Sequence, residues 1–379
     1  MDNQFFFDSH HQELQEKLAT FTSEHSNLLD IEQEDEDQHA LDTIKALAKA
    51  ELLKLVVPAS FGGRFETPDV RSLCLTRERL CYRSGLADLM FAMQGLGSYA
   101  ITLAGTDELK QKYLPKVASG EFIAAFAITE PNAGSDTGSM QTTATKDGDD
   151  YIINGAKRFI SNAGIADFYT LFAKTDPTAG NKGVSAFVLD ANTPGLTIKK
   201  LKLISAHPIG ELEFNNCRIS SSQMLGLPGE GFKLAMRTLD TFRASVGAMA
   251  LGMGTRALDE AINYARKRIL FNKPLTEFQA IQFKLAEMAT ELDAARLLVY
   301  RAAWLKDQGQ VITRQAAMAK LFATESAQRA IDEAIQIHGG SGLIHGAITE
   351  RLYREIRATR IYEGTSEIQK IVIANQLLK

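Results

Sequence analysis

The spacing of apolar residues changes twice along this chain, and that change limits the possible folds more than any other feature. Residues 1–122 and 227–379 carry apolar side chains at helical spacing, whereas residues 123–226 hold short β-prone runs. Asn154-Gly155 separates two such runs, which predicts a hairpin turn. We therefore predict an α+β protein, mostly α, with three domains at these bounds: an N-terminal helical domain, a central antiparallel β-barrel or sandwich, and a C-terminal helix bundle.

Composition narrows the classes of function. The chain carries a net charge of −4 at pH 7 with scattered basic residues, so we expect no nucleic acid and no membrane surface as partner. The three cysteines make no even disulfide set, and no apolar run is long enough to span a bilayer. The first residues resemble neither a signal peptide nor a transit peptide, so we expect a cytoplasmic protein. The seven histidines lack metal-ligand spacing, and we predict no metal site.

One glycine pattern superficially matches a dinucleotide-binding fingerprint, namely G-M-G-T-R-A at residues 252–257. That fingerprint follows a strand, whereas both flanks here are helical. Small residues that let two helices approach closely explain the pattern better, so we predict close helix packing there. The sequence contains neither the G-x-S-x-G elbow of a hydrolase nor a P-loop.

Two other glycine-rich segments could bind a ligand. Residues 125–139, A-F-A-I-T-E-P-N-A-G-S-D-T-G-S, form an apolar run followed by a loop rich in hydroxyls and backbone N–H groups. Such a loop can hold a flavin edge or a phosphate, and it can also be a plain β-turn. Residues 336–340, Q-I-H-G-G, end a predicted helix and fit either a C-cap or the close approach of a ligand.

The candidate for acid–base chemistry is Glu363, in the run R-I-Y-E-G-T-S-E-I. Gly364 tolerates positive φ and so allows a sharp bend after the carboxylate. Thr365 or Ser366 can then cap the helix predicted to follow. This geometry would direct one carboxylate into an apolar cavity, which suits a general base. An ordinary surface glutamate before a helix fits the same window.

The chain as a whole resembles the acyl-CoA dehydrogenase family of flavoproteins. The resemblance spans nearly all residues and lies in an ordered set of segments: A-F-A-I-T-E-P-N-A-G-S-D, N-G-A-K-R-F-I-S-N-A, R-I-L-F-N-K-P-L-T-E-F-Q, Q-I-H-G-G and I-Y-E-G-T-S-E-I. It implies an N-terminal helical domain, a central β-domain and a C-terminal four-helix bundle. It also implies that FAD lies between the last two domains and reaches a neighbouring subunit of a homotetramer, a dimer of dimers.

The resemblance assigns roles residue by residue. The positions that line the flavin are Phe126, Ile128, Thr129, Phe159, Ile160 and Ser161. The positions that reach the cofactor across a subunit interface are Arg268, Gln279, Gln336, Ile337, His338, Gly339 and Gly340. The positions that hold the cofactor at the start of the last helix are Thr365, Ser366 and Glu367.

Four positions are assigned to the substrate. Ser135 contacts the flavin phosphate or the pantetheine arm, and Arg243 supports the carrier arm of the thioester. Tyr362 and Gly364 lie beside the acyl group. These assignments also come from the resemblance.

The implied activity is the dehydrogenation of an acyl-CoA to its trans-2-enoyl thioester. Glu363 would remove the α-proton, and N5 of FAD would accept the β-hydride. One branch of the family carries its base on the helix just before Arg243, but Phe242 stands there, which favours Glu363. The resemblance further implies an electron-transferring flavoprotein as oxidant.

Several positions depart from the commonest family pattern. Phe159 replaces a frequent Trp, Ser161 a frequent Thr and Asn272 a frequent Gly. Ser341 replaces an aromatic residue, and the turn around His207 lacks its usual Arg. The last two departures keep one alternative open, the same chemistry on an acyl group bound to a carrier protein. A non-catalytic helical scaffold, with Glu363 a plain surface acid, is a second alternative. Acyl chain length depends on the spacing of helices, so the sequence predicts none.

Overall fold

The chain is described here by a computed structural model that covers residues 6–378. The first five residues, which begin the segment to which the targeting prediction refers, and Lys379 lie outside the described residues. The N-terminal segment is helical, as predicted, and the side chains of Asp35 and Thr106 cap two of its helices by accepting a backbone N–H. These helices are α1 (Ser9–Glu24), α2 (Ser26–Asp30), α3 (Glu36–Lys49), α4 (Val70–Cys81), α5 (Gly85–Ala104) and α6 (Asp107–Ala118).

The middle segment folds into one sheet of eight strands in the part of the chain that the structure describes. The apolar runs F-Y-T-L-F-A-K and V-S-A-F-V-L-D form two strands that are buried on both faces. The strands are β1 (Ala124–Ala127), β2 (Thr143–Asp147), β3 (Asp150–Ser161), β4 (Phe168–Lys174), β5 (Val184–Asp190), β6 (Leu196–Leu201), β7 (Ile209–Ser220) and β8 (Met224–Leu225).

The sheet is sandwich-like and does not close into a barrel. Its strand order is β6-β7-β3-β2-β4-β5-β8, an open path among the described residues, and β1 pairs with β4 off that path. Most pairings are antiparallel, as predicted, but β1 and β2 both run parallel to β4. The β2–β3 hairpin lies between β1 and β4 in the chain, and β4 pairs with β1 in parallel after it.

The hairpin predicted at Asn154-Gly155 is wrong, because both residues lie inside strand β3. The register with β7 shifts between Ile153 and Gly155, which marks a β-bulge. Gly155 has φ +139°, and a Cβ atom there would lie 2.7 Å from Thr142. Gly155 therefore allows the bulge in β3. The turn between β2 and β3 lies at residues 147–150, where Gly148 has φ +62°.

The C-terminal segment is helical, as predicted. Met288, Leu292, Ala295, Val299 and Ala302 of the predicted apolar stripe are buried. A short ribbon of β9 (Ile269–Leu270) and β10 (Lys273–Pro274) interrupts the helices. The helices are α7 (Gly231–Lys267), α8 (Gln279–Asp307), α9 (Thr313–His338), α10 (Ile348–Thr359) and α11 (Ser366–Leu377).

The glycine pattern at residues 252–257 serves helix packing, as predicted. It lies within α7, where a Cβ atom on Gly252 would clash with the carbonyl oxygen of Glu78 in α4. A Cβ atom on Gly254 would lie 2.6 Å from the Leu292 side chain of α8. The absence of side chains at these two positions lets the backbones approach closely.

Contacts divide the chain into two compact units. One comprises residues up to 32, 70–88 and from 240 onward, and within it α4 packs against α8. The other comprises residues 33–69 and 89–239 and contains the sheet. The domain bounds predicted after residues 122 and 226 stay a prediction.

None of the described helices combines the length and the apolar character that a membrane crossing requires.

Substitution of Gly252 tests the close helix packing. We expect Gly252→Ala to lower the free energy of unfolding by about 1 to 3 kcal/mol, because the methyl group overpacks the α4–α7 contact. Urea denaturation of the purified protein measures this change. Gly134→Ala is the matched control, since a Cβ atom there meets nothing within 4 Å. Equal stability of the two variants would contradict the packing role.

Candidate active site

Glu363 lies in the turn between α10 and α11, on a strained backbone. Its φ is +51° and that of Gly364 is +90°, so two successive residues occupy the left-handed region. Positive φ is uncommon for a residue with a side chain and marks a position held by its surroundings. Thr365 caps α11, because its Oγ1 accepts a hydrogen bond from the Ile368 N–H at 3.3 Å. The bend and the cap confirm the local geometry predicted from the sequence.

Two buried side chains hold this turn from α9 and α11. Lys320 Nζ donates to the Gly364 carbonyl at 2.7 Å, and Gln369 Nε2 donates to the same oxygen at 2.9 Å. Gln369 Nε2 also lies 3.2 Å from the Glu363 carbonyl. The carbonyls of the bent segment are therefore paired within the protein. Sequence analysis missed both residues, since neither belongs to a recognisable motif.

The Glu363 carboxylate is not the ordinary surface acid that its sequence window also allowed. Its Oε2 is buried and accepts no hydrogen bond from any described residue. Burial raises the pKa of the Glu363 carboxyl above its ordinary value. The positive charges of Arg77, Lys320 and Arg243 oppose that shift, but burial outweighs them. A carboxyl group of this kind can accept a proton from a bound molecule.

A buried ion pair contributes to the charge around Glu363. Arg77 binds Asp88 in a bidentate manner, with Nε–Oδ1 and Nη2–Oδ2 distances of 2.8 Å. Arg77 Nη1 also donates to Ser245 Oγ at 2.9 Å. Asp88 opposes the effect of Arg77 on the pKa of Glu363, but Arg77 has the larger effect of the two. Sequence analysis missed this pair as well.

Two of the predicted substrate residues lie in the same compact unit. Tyr362 donates to Met249 Sδ at 3.0 Å, and burial raises the pKa of its hydroxyl well above the ordinary value, so it stays protonated. Arg243 is buried and donates to Asp240 Oδ1 at 2.6 Å, while its Nε finds no hydrogen-bond partner among the described residues. An unpaired buried donor of this kind is available to a ligand.

The residues predicted to hold the cofactor at the start of α11 are already partly engaged. The Thr365 hydroxyl caps the helix, and Ser366 Oγ donates to Glu325 at 2.6 Å. Glu325 also binds Arg360 at 2.8 Å, and Glu367 is exposed. Backbone N–H groups at this helix start remain the groups best suited to an anion.

The residues predicted to reach the cofactor across a subunit interface lie near helix ends. Arg268 and Gln279 are exposed, and the segment between them contains Phe271, which is 82% exposed. Asn272 has φ +61°, and Asn tolerates that region better than most residues, which explains how it replaces glycine. Residues 336–340 end α9, where Gly339 has φ +57° and a Cβ atom on Gly339 or Gly340 meets nothing within 4 Å. The glycine pair therefore both terminates the helix and leaves its backbone open.

In the other compact unit, the structure brings the two predicted flavin-lining segments together. The Arg158 N–H donates to the Thr129 carbonyl at 2.8 Å, which links the loop after β1 to the end of β3. The buried Lys157 binds the Ile128 carbonyl at 3.0 Å and Glu130 at 2.8 Å. Phe126 and Ile128 are buried, whereas Ser135 is exposed in the loop.

The end of β3 presents an exposed aromatic ring. A one-residue bulge between Lys157 and Ile160 places Phe159 at φ +57°, with its side chain 52% exposed. Ile160 is buried, and Ser161 is half-buried with its hydroxyl 2.8 Å from His207 Nε2. An exposed ring two residues before a serine hydroxyl fits a flavin, which is flat and apolar on its face and polar at its edge.

Comparison with known proteins identifies the family. Three models for acyl-CoA dehydrogenases match the chain: the N-terminal domain over residues 8–121, the middle domain over residues 125–217 and the C-terminal domain over residues 229–378. The chain belongs to the acyl-CoA dehydrogenase family. It is therefore an oxidoreductase, and FAD is the cofactor of this family. The resemblance found in the sequence is confirmed, and the non-catalytic scaffold is excluded.

Similar proteins cover almost the whole chain. A 3-(aryl)acrylate reductase of Clostridium sporogenes (strain ATCC 15579) is 40% identical and covers 99% of this chain and 100% of its own length. The mitochondrial short-chain specific acyl-CoA dehydrogenase of Bos taurus is 41% identical over 97% of this chain and 90% of its own. The structure of butyryl-CoA dehydrogenase from Megasphaera elsdenii is 35% identical in sequence and has a TM-score of 0.90. The match covers 98% of this chain and 99% of the butyryl-CoA dehydrogenase chain.

Replacement of Phe159 separates backbone strain from ligand binding. Phe159→Gly removes an exposed ring and relieves positive φ, so we expect the unfolding free energy of the flavin-free protein to stay within about 1 kcal/mol of the wild type. Loss of the ring should weaken FAD binding about tenfold. Fluorescence titration with FAD and urea denaturation measure the two effects.

Asn216→Gly is the control for this substitution. Asn216 has φ +52° and is exposed in β7, but it is not among the predicted flavin-lining residues. We expect its FAD affinity to equal that of the wild type. Unchanged affinity in Phe159→Gly would show that the ring does not contact the flavin.

Proposed function

We propose that this chain catalyses the α,β-dehydrogenation of an acyl-CoA thioester to the trans-2-enoyl thioester, with Glu363 as the base for the α-proton. The observation that carries the proposal is the buried Oε2 of Glu363, which lacks a hydrogen-bond partner among the described residues. A buried carboxylate oxygen without a donor is costly unless a ligand or a proton meets it. The strained turn that presents this oxygen supports a functional rather than a structural role.

In the proposed step the α-carbon of the acyl group loses a proton to Glu363 Oε2. The electron pair left behind forms the double bond as a hydride leaves the β-carbon. Bound FAD supplies the acceptor for that hydride. Because the α-proton is weakly acidic, a base with a raised pKa is better matched to it than an ordinary carboxylate. Burial provides this match, since it raises the pKa of Glu363.

The remaining groups bind and orient the substrate in this proposal. The unpaired Nε of Arg243 supports the carrier arm, and Tyr362 lies beside the acyl group. The resemblance assigns the thioester carbonyl to the backbone N–H of Glu363. A donor fixed before the reaction stabilises the charge that develops on this oxygen. Phe126, Ile128, Thr129, Phe159, Ile160 and Ser161 would line the flavin.

The same site can serve the reverse reaction, reduction of an α,β-unsaturated thioester. The similarity to a 3-(aryl)acrylate reductase favours this second candidate. Burial raises the pKa of Glu363 and so favours its protonated form, in which the carboxyl could return a proton to the α-carbon. The two directions share one transition state and therefore the same residues.

We further propose two partners on the strength of family membership. An electron-transferring flavoprotein would be the oxidant in the dehydrogenase direction. The assembly would be a homotetramer, a dimer of dimers, in which Arg268 and Gln279 reach the cofactor of a neighbouring subunit. The exposure of both residues is compatible with such an interface.

Anaerobic titration of the flavin absorbance tests the proposed function. We expect a subset of straight-chain, branched and aryl-substituted acyl-CoA thioesters to bleach the flavin of the wild type. In Glu363→Gln, which keeps the shape and removes the base, the rate of bleaching should fall about 10²- to 10⁴-fold with FAD still bound. An unchanged rate in Glu363→Gln would refute its role as base.

Two further outcomes assign the substrate and direction. Faster reoxidation of the reduced flavin by enoyl thioesters than bleaching by acyl thioesters would favour the reductase. A flavin-loaded protein that no CoA thioester bleaches, but that a carrier-protein thioester does, would establish the carrier-bound alternative.

The pH dependence of flavin reduction tests the charge of Lys320. Burial lowers the pKa of Lys320 to about 8, so it is positive at lower pH and stabilises the Glu363 carboxylate. Glu363 acts as a base only when deprotonated, and the rate therefore falls as pH drops through its pKa. Lys320→Met removes the positive charge and should move this acid limb upward by about one pH unit.

Gln369→Met provides the matched control for Lys320→Met. It removes a neutral donor from the same Gly364 carbonyl, so we expect a lower rate with the acid limb at the wild-type pH. Stopped-flow reduction across the pH range measures both variants. If the acid limb of the pH–rate profile lies at the same pH in Lys320→Met and in the wild type, the charge of Lys320 does not affect the pKa of Glu363.

A further inference from the structure

Ser161 and His207 form a hydrogen-bonded pair at the end of strand β3. The Ser161 hydroxyl lies 2.8 Å from His207 Nε2. Sheet register pairs Ser161 with Ile209, two residues beyond His207, and the Asn162 N–H donates to the Pro208 carbonyl at 2.8 Å. These backbone contacts fix the histidine beside the serine.

The surroundings of His207 limit its chemical state. Its backbone N–H donates to Glu36 Oε2 at 3.3 Å, and burial lowers the pKa of its ring to about 4. The ring is therefore neutral near pH 7 and has one N–H donor and one nitrogen acceptor. A protonated Nε2 donates to Ser161 Oγ and leaves the hydroxyl proton free for a ligand, whereas an unprotonated Nε2 accepts that proton and leaves the oxygen lone pairs free. In each tautomer the hydroxyl has one preferred orientation. A pair of this kind restricts rotation of the hydroxyl.

We propose that His207 is a positioning residue that fixes the orientation of the Ser161 hydroxyl beside the bound flavin and so helps to set the midpoint potential of that flavin. The inference rests on the proposed function, which places Ser161 against the flavin. Hydrogen bonds at the edge of the ring stabilise its oxidised and reduced forms unequally, because reduction changes where the ring carries protons and charge. A hydroxyl held in one orientation therefore has a larger and more specific effect than one that rotates freely.

A double-mutant cycle read by midpoint potential tests this inference. Spectroelectrochemical titration of the FAD-loaded protein compares the wild type, Ser161→Ala, His207→Leu and the double variant. We expect both single variants to shift the midpoint potential in the same direction. The double variant should shift no further than Ser161→Ala, because His207 acts through the hydroxyl. His345→Leu, at an exposed histidine of the other compact unit, should leave the potential unchanged.

Three outcomes would overturn the inference. They are an unchanged potential in His207→Leu, additive shifts in the double variant, and single-variant shifts of opposite sign. Where His207→Leu does not fold or take up FAD, His207→Phe replaces it in the cycle, since it keeps the ring volume and removes both nitrogens.

The inference can fail separately from the proposed function. A wild-type protein that takes up no FAD would overturn both. If thioesters bleach the flavin but His207→Leu leaves its midpoint potential unchanged, only the positioning role is overturned. If no thioester bleaches the flavin but the midpoint potentials in the double-mutant cycle shift as expected, the positioning role stands and the proposed substrate class is refuted.

Discussion

The clamp on the Gly364 carbonyl is the interaction on which the candidate base depends. Two successive residues with positive φ cost about 1 to 3 kcal/mol where a side chain is present, so the turn needs support from its surroundings. Lys320 and Gln369 supply it by donating to the same oxygen from two different helices. A charge-assisted hydrogen bond of this kind contributes about 1.5 to 3 kcal/mol, which is enough to offset the strain. The direction of the Glu363 carboxylate thus follows from the packing of α9 against α11.

Burial affects the pKa of Glu363 more than the attraction of the nearby cations does. Arg77 pairs with Asp88, Arg243 pairs with Asp240 and Lys320 donates to the Gly364 carbonyl, so none of them binds the carboxylate directly. Burial consequently outweighs their attraction, and the pKa of Glu363 rises. Had one cation formed a direct ion pair with Oε2, that pKa would fall and the group would be a poor base. The Glu363 carboxyl therefore has a raised pKa, and its Oε2 has no hydrogen-bond donor among the described residues.

The predicted flavin-lining surface, in the other compact unit, also contains a residue with positive φ. A bulge and positive φ at Phe159 turn an aromatic ring outward, and the buried Lys157–Glu130 pair holds the adjoining loop. Asn272 repeats the left-handed conformation at another predicted cofactor segment. Strained residues collect at functional sites, where the surrounding structure holds them in conformations that they would not otherwise adopt. The two sites that the sequence singled out are therefore also positions of backbone strain.

The sequence by itself determined the order of helices, sheet and helices, the bend at Gly364 and the cap at Thr365, because these features depend on short-range periodicity and local backbone preference. The same local reasoning failed at Asn154-Gly155, where a bulge in a long strand uses the glycine that a hairpin would use. Only the tertiary structure decided that the charges of Arg77 and Lys320 act on the Glu363 carboxyl, and that His207 reaches Ser161. These residues lie far apart in the chain, and their charges and hydrogen bonds acquire a role only when packing removes water between them.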